Sequence, residues 1–266
     1  MPELPEVETI ARALRPELTG RQVISALLLW QKTLATPKAE EFIEQISGQT
    51  IVDVSRRAKY IDIELSVQHL FIHLRMSGDL FIREAADQTE KHDRLLFNLS
   101  DKRQLVFNDP RKFGRAWLTS HPQDVIAGLG PEPLDPTFTA SILYTRLHER
   151  QRLVKPLLLD QSFLAGLGNI YTDEALHMSG VHPLRVSDTI SLQEVERLHA
   201  AIRTVLLTGI QHNGASFDWV YRGGNFQNYF RVYGREGQPC PVCGAPMQKI
   251  SVGQRGTHFC PICQVR

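Results

Sequence analysis

All four cysteines of the 266-residue chain lie in one 24-residue window, as Cys240-Pro241-Val242-Cys243, sixteen residues, then Cys260-Pro261-Ile262-Cys263. Paired C-x2-C knuckles at this separation are the pattern of tetrahedral thiolate coordination of zinc. Two disulfides are the alternative, disfavoured by the paired spacing and by the intracellular setting argued below. Four thiolates leave the ion no open position. One structural Zn2+ on Cys240, Cys243, Cys260 and Cys263 would therefore fold the tail and do no catalysis. The intervening Met247 to Phe259 reads as a β-hairpin with Gly253-Gln254-Arg255-Gly256 near its tip. Arg255 on such a hairpin is either a phosphate contact or a solvated turn residue.

Upstream of this window the periodicity changes twice. Glu6 to Leu18 reads as a helix, with Val7, Ile10, Ala11 and Leu14 on one face and Thr19-Gly20 ending it. Short β-rich runs follow at 51–54, 60–65, 69–74, 79–83, 95–99 and 104–108. Gly128 to Pro136 is dense in breakers and reads as a linker. Helical patterns then cover 138–150, 155–159, 171–179 and 192–208, with Ser191 as an N-cap and Gly166-Leu167-Gly168-Asn169 as a tight turn. The expected organisation is an N-terminal β-rich domain over 1–130, a helical module over 131–225 and the finger over 226–266. No apolar run approaches a membrane span and no basic-then-apolar leader opens the chain, so a cytoplasmic location is expected.

Formal net charge is only +1, but residues 221–266 carry six basic side chains against Glu236 alone. With Arg56-Arg57-Ala58-Lys59 and Arg111-Lys112-Phe113-Gly114-Arg115 this tail could line a polyanion groove, or each run could be a solvated face. The opening Met1-Pro2-Glu3-Leu4-Pro5-Glu6 carries a second ambiguity. Removal of Met1 would leave Pro2 as a terminal secondary amine, and an α-amino group has a pKa of roughly 8 against about 10.4 for lysine. Such an amine can attack an electrophilic carbon and form an iminium. Equally, an early proline stiffens a chain start and nearby acids suit a helix N-terminus. With Met1 in place the Pro2 nitrogen is a tertiary amide and cannot react in this way.

The ordered set PELPEVET, RRAKY at 56–60, MSG at 76–78, KHD at 91–93, DPRKFG at 109–114, GLGPEPL at 128–134, GLGNIY at 166–171 and the four-cysteine finger resembles formamidopyrimidine-DNA glycosylase, the bacterial base-excision enzyme for oxidised purines. The resemblance runs from Pro2 to Cys263. It implies an α+β fold: an N-terminal β-sandwich-like domain flanked by helices, a helix-two-turn-helix module and a C-terminal zinc-finger β-hairpin. It also implies a monomer acting on damaged double-stranded DNA. Pro2 matches the nucleophile that attacks C1′, Glu3 the acid that handles sugar proton transfers, Lys59 the proton donor in β-elimination and Arg255 the arginine of δ-elimination. His92, Arg111, Arg150, Asn169 and Lys155 match DNA-contacting positions. Met76, Arg111 and Phe113 match the side chains that fill the gap left by an everted nucleotide. An iminium at C1′ acidifies the C2′ protons, so a nearby acid–base pair can drive elimination. By composition alone Met76 and Phe113 would be core side chains and Lys155 a helix-start surface charge.

The segment between Trp219 and Val232 departs from the family: it is shorter than the loop many relatives use to cover the everted base and lacks their Lys-Pro-Gly run. This bears on lesion preference more than on lyase chemistry. The related endonuclease VIII branch, which favours oxidised pyrimidines, typically has glycine where this chain has Leu4. A non-catalytic DNA-binding protein would have no use for Pro2, Glu3 and Lys59 together. His69 and His73 lie in a strand-like run and lack the helical H-E-x-x-H geometry of a zinc hydrolase.

Overall fold

Leu4, Val7, Ile10, Ala11, Leu14 and Leu18 form one buried face of helix α1 (Leu4–Leu18). Glu3 is its N-cap, in a capping box: its side chain accepts the Glu6 N–H while Glu6 Oε2 accepts the Glu3 N–H at 2.8 Å. Pro5 sits in the first turn, where its missing N–H costs nothing. The computed structural model describes residues 2–216 and 223–266. The fate of Met1 and residues 219–222 of the shortened loop lie outside them.

After α1 come β1 (Val23–Leu28), β2 (Leu34–Thr36), α2 (Ala39–Ile46), β3 (Ile51–Arg57), β4 (Tyr60–Leu65), β5 (His69–His73), β6 (Asp79–Glu84), β7 (Asp93–Leu99), β8 (Arg103–Asn108) and β9 (Arg115–Thr119). They make a four-stranded sheet ordered β1-β7-β8-β6 and a five-stranded sheet ordered β2-β9-β5-β4-β3. All pairings are antiparallel except β2 with β9. Val23, Leu80, Phe97, Leu105 and Phe107 of one sheet share a single core with Val54, Ile61, Ile63, Ile72 and Leu118 of the other, and α1 and α2 add Leu14, Phe42 and Ile46 to it. The result is the sandwich of two inner faces, flanked by helices, that the resemblance implies.

The chain forms two compact units, the first built from Met1–Ala127 and Ser216–Gly224 and the second from Gly128–Ala215 and Asn225–Arg266. After the short α3 (Gln123–Ile126), the second unit holds α4 (Ala140–His148), α5 (Val154–Leu159), α6 (Asn169–Ser179), α7 (Leu192–Gln211) and a hairpin of β10 (Gln248–Val252) with β11 (Arg255–Phe259). Helix α7 starts at a Ser191/Glu194 capping box. It meets α6 closely at Gly209, where a Cβ would fall 2.5 Å from the Tyr171 ring. The hairpin turns in two residues, Gly253 and Gln254, both at positive φ, the geometry of a primed turn.

Two expectations change. The breaker-rich 128–136 stretch is only in part a linker. A Cβ on Gly130 would stand 2.7 Å from the Phe163 backbone, and Ala165 N–H bonds Pro131 O at 3.0 Å, so this segment packs on the α5–α6 connection. Strands β1, β2 and β9 and helix α2 were not read from sequence. In β1 a register shift between Val23 and Ser25 breaks strict alternation, and α2 buries only Phe42 and Ile46.

Candidate active site and nucleic-acid interface

In the first unit, Pro2 and Glu3 are buried at the start of α1. Lys59 is one of two residues turning β3 into β4, since Arg57 pairs with Tyr60. Its neighbour Ala58 holds φ at 54°, a left-handed conformation that glycine would take more readily. This turn is fastened to α1 by Arg56, whose Nε donates to Glu8 Oε2 at 2.8 Å and whose Nη1 donates to Ala58 O at 3.2 Å. Burial would raise the Glu8 carboxyl, but hydrogen bonds and charge from Arg56 and Arg12 bring it below its ordinary value. Arg15 with Asp53, at 2.6 Å, makes a second tie further along the same helix and strand. The helix bearing Pro2 and Glu3 and the turn bearing Lys59 are thus joined by charged contacts, with Lys59 itself only 5% exposed.

His73 packs edge-on against Tyr60. Burial lowers its pKa to about 3, helped by the charges of Arg75 and Lys59, so the ring is neutral and its Nδ1 accepts the Arg75 N–H at 3.0 Å. His69 instead pairs with Asp62 at 2.9 Å. Four residues apart on a strand, the two histidines are separated by roughly 13 Å of rise and share no metal position.

A second cluster in this unit centres on Asp109, 1% exposed. Its Oδ1 accepts the Ser77 hydroxyl and the Arg111 N–H at 3.1 Å; its Oδ2 accepts the Gly114 N–H at 2.7 Å. Its N–H donates to His92 O at 2.9 Å and its carbonyl accepts from Arg94 Nε at 2.8 Å. One aspartate therefore sets the segments that carry Met76, His92, Arg111 and Phe113. Glycine is required at both flanks: a Cβ on Gly114 would lie 2.3 Å, and on Gly78 2.9 Å, from the Phe107 ring. The reading of Phe113 as a core side chain fails. It is 49% exposed, with the Arg111 guanidinium 5.1 Å from its ring centre. Met76 is half-buried. Sequence reasoning gave Asp109 no role, although an aspartate opening a Pro-containing turn is the visible signal.

In the second unit, Asn169 opens α6 after the two turns that follow α5, and its Nδ2 donates to Gly256 O at 2.9 Å. The reading of Lys155 as a helix-start surface charge fails. It is 0% exposed, so it is not a surface charge. Its ammonium pairs with Asp173 at 2.6 Å and donates to Gly256 O at 3.0 Å and Thr257 Oγ1 at 2.7 Å. Asp173 also accepts the His258 N–H at 2.9 Å. These bonds fix β11 directly behind Arg255, whose side chain is exposed beside the hairpin turn. Arg150 stands apart from this cluster, exposed after the end of α4, with its carbonyl accepting from Ser187 Oγ at 2.6 Å. Glu174, another residue missed from sequence, is buried and accepts the N–H groups of Arg231, Val232 and Tyr233 at 2.8–2.9 Å. Burial raises its pKa against the pull of those three donors.

The sulfurs of Cys240, Cys243, Cys260 and Cys263 all lie within 4.8 Å of one another. Cys240 to Cys263 is 3.9 Å and Cys243 to Cys260 3.5 Å. A tetrahedron with zinc–sulfur bonds of about 2.3 Å has sulfur–sulfur edges of roughly 3.8 Å, so the four ligands fit one zinc ion.

Comparison with known proteins agrees across the chain. Residues 1–116 match the formamidopyrimidine-DNA glycosylase N-terminal domain, 129–219 its H2TH domain, and 237–265 the zinc finger found in FPG and IleRS. The formamidopyrimidine-DNA glycosylase of Chloroflexus aggregans is 45% identical, over 100% of this chain and 99% of its own length. That of Pelotomaculum thermopropionicum is 44% identical over 99% of each. Among solved structures, the Lactococcus lactis FPG (MutM) complex with DNA containing FAPY-dG superposes with a TM-score of 0.93 at 36% identity, over 99% of this chain and 100% of that one. A MutM complex with DNA containing carbocyclic 8-oxo-G gives 0.93 at 36%, over 100% of both.

Proposed function

The chain belongs to the formamidopyrimidine-DNA glycosylase family, and from this we propose that its buried Pro2–Glu3 start and its Lys59 turn form the reacting centre of a base-excision repair enzyme. The enzyme is a bifunctional DNA glycosylase and AP lyase that removes oxidised purines, 8-oxoguanine and formamidopyrimidines, from damaged double-stranded DNA. It carries one structural zinc ion on its four cysteines. The ion supplies no chemistry to the reaction; it folds the segment that bears Arg255.

In this reading the Pro2 nitrogen, freed by loss of Met1, attacks C1′. The C1′–base bond breaks, the base leaves with a proton, and an iminium joins Pro2 to the opened sugar. Glu3 handles the sugar proton transfers. Loss of a C2′ proton then expels the 3′ phosphate with Lys59 as proton donor, Arg255 assists loss of the 5′ phosphate, and water releases Pro2. Arg111, Phe113 and Met76 occupy the space vacated by the everted nucleotide, offsetting part of the few kcal/mol that extrusion costs. His92, Arg150 and Asn169 contact the DNA backbone, and Lys155 acts on it through the strand it holds. A cytoplasmic, nucleoid-associated location follows from this substrate.

The observation that carries the proposal is the Glu8–Arg56–Ala58 tie, which joins the helix headed by Pro2 and Glu3 to the turn containing Lys59. The test is excision by the methionine-processed protein on duplexes containing 8-oxoguanine, a formamidopyrimidine or an oxidised pyrimidine. Oxidised purines are cut fastest, leaving phosphates on both sides of a one-nucleotide gap. Faster cutting of the pyrimidine lesion, or ends from β-elimination alone, would contradict it.

A further inference from the structure

Helix α6 meets the zinc-bearing tail along a line of polar side chains. Asn169, Asp173 and His177 are spaced by four residues, so they lie on one stripe of the helix, successive members about 6 Å apart along its axis. Asn169 holds Gly256 O and Asp173 holds the His258 N–H, both on the hairpin. His177 reaches the metal site: its Nε2 is 3.5 Å from Cys240 Sγ. His177 is 3% exposed, so water does not compete for that contact, and its Nδ1 has no hydrogen-bond partner. With zinc bound, the Cys240 sulfur is a thiolate and can only accept, which assigns the bridging proton to His177 Nε2.

We propose that His177 is an outer-shell hydrogen-bond donor to the Cys240 thiolate, a positioning residue that ties retention of the zinc ion to the helix whose first residue is Asn169. Four thiolates on one divalent ion leave two surplus negative charges in a partly buried site, and a donor aimed at one sulfur disperses part of that charge. Groups of this kind orient metal ligands, and their loss typically weakens metal binding by about 10- to 100-fold. Because the donor sits on α6, the metal site and the start of the helix after the two turns are connected through a single rigid element. The inference concerns zinc and its outer shell, and holds whichever lesion the enzyme prefers.

The test uses full-length protein. Zinc release to a chromophoric chelator is timed for the wild type, His177→Phe, which keeps a ring but has no donor, and His177→Gln, which restores an N–H. Cobalt-loaded samples of each report the thiolate-to-cobalt charge-transfer band. The expected result is release about tenfold or more faster in His177→Phe, with the band moved to longer wavelength, and both changes reduced in His177→Gln. Unchanged release in His177→Phe overturns the proposal. So does faster release with an unmoved band, because a purely structural loosening of the helix contact would speed release without altering the sulfur.

Discussion

Asp109 shows how much a single buried carboxylate organises. It accepts from Ser77, Arg111 and Gly114, and its backbone engages His92 and Arg94. An ionised acceptor of backbone N–H groups forms stronger bonds than a neutral one, each worth about 1.5–3 kcal/mol. Asp109→Asn replaces an acceptor oxygen with a donor that cannot serve Gly114 or Arg111. The expected outcome is a fall of about tenfold or more in kcat/KM on an 8-oxoguanine duplex, a loss of roughly 1.4 kcal/mol of transition-state stabilisation, with a much smaller effect on a pre-formed abasic site in single-stranded DNA. Excision kinetics on the two substrates make the check; equal losses on both would assign Asp109 to general folding. The motif around Asp109 was legible in the sequence, but its role was not, because its hydroxyl partner Ser77 lies 32 residues away. The reading of Lys155 as a surface charge fails for the same reason. Local periodicity put it at a helix start, while its partners Asp173 and Gly256 are distant in sequence.

Among the elements, those with strong period and clean punctuation were read from sequence to within a residue or two at most ends. Helix α1, strand β4 and the Ser191-capped α7 are examples. Elements with a bulge or only two buried positions, β1 and α2, were not. Ties between elements were beyond local pattern altogether. The β7–β8 turn is one: Asp101 binds Arg103 at 2.7 Å and Arg21 at 2.7 Å, and Arg103 also reaches Glu17 of α1. Desolvation works to raise the Asp101 pKa, but the two arginines prevail and bring it to about 2. The folded value lies below the unfolded value of about 3.8, so this tie stabilises the protein above about pH 4 and the contribution fades as pH falls toward 2. Thermal melts of wild type and Asp101→Asn should show a gap in Tm at pH 6 that narrows between pH 4 and pH 2.5. The pair is partly exposed, its side chains 22% and 25% accessible, so solvent screens it and the gap is small. A gap that widened with acid would reverse the sign of the assignment.

For the molecule as a whole, the net charge of +1 concealed a basic tail, and the ordered motifs from Pro2 to Cys263 carried more information than composition. The four-cysteine window was the part most directly legible, since its spacing alone specifies a metal site. The finger and helices α4 to α7 belong to one compact unit and the sandwich to another. Cys243→Ser, or zinc removal by chelation, is therefore expected to unfold the hairpin and cut affinity for lesion duplex at least tenfold, while the first unit keeps its β-rich circular-dichroism signal and its amide protection. Loss of protection in α1 and β4 on zinc removal would contradict that separation.

The central claim is that Pro2 is the nucleophile, and borohydride trapping addresses it directly. Methionine-processed protein is mixed with an 8-oxoguanine duplex, reduced, digested and mapped by mass spectrometry. A sugar adduct on the Pro2 nitrogen, absent in Pro2→Gly and in protein retaining Met1, is the predicted result. An adduct on Lys59 or another lysine, or no adduct from active protein, would contradict the account.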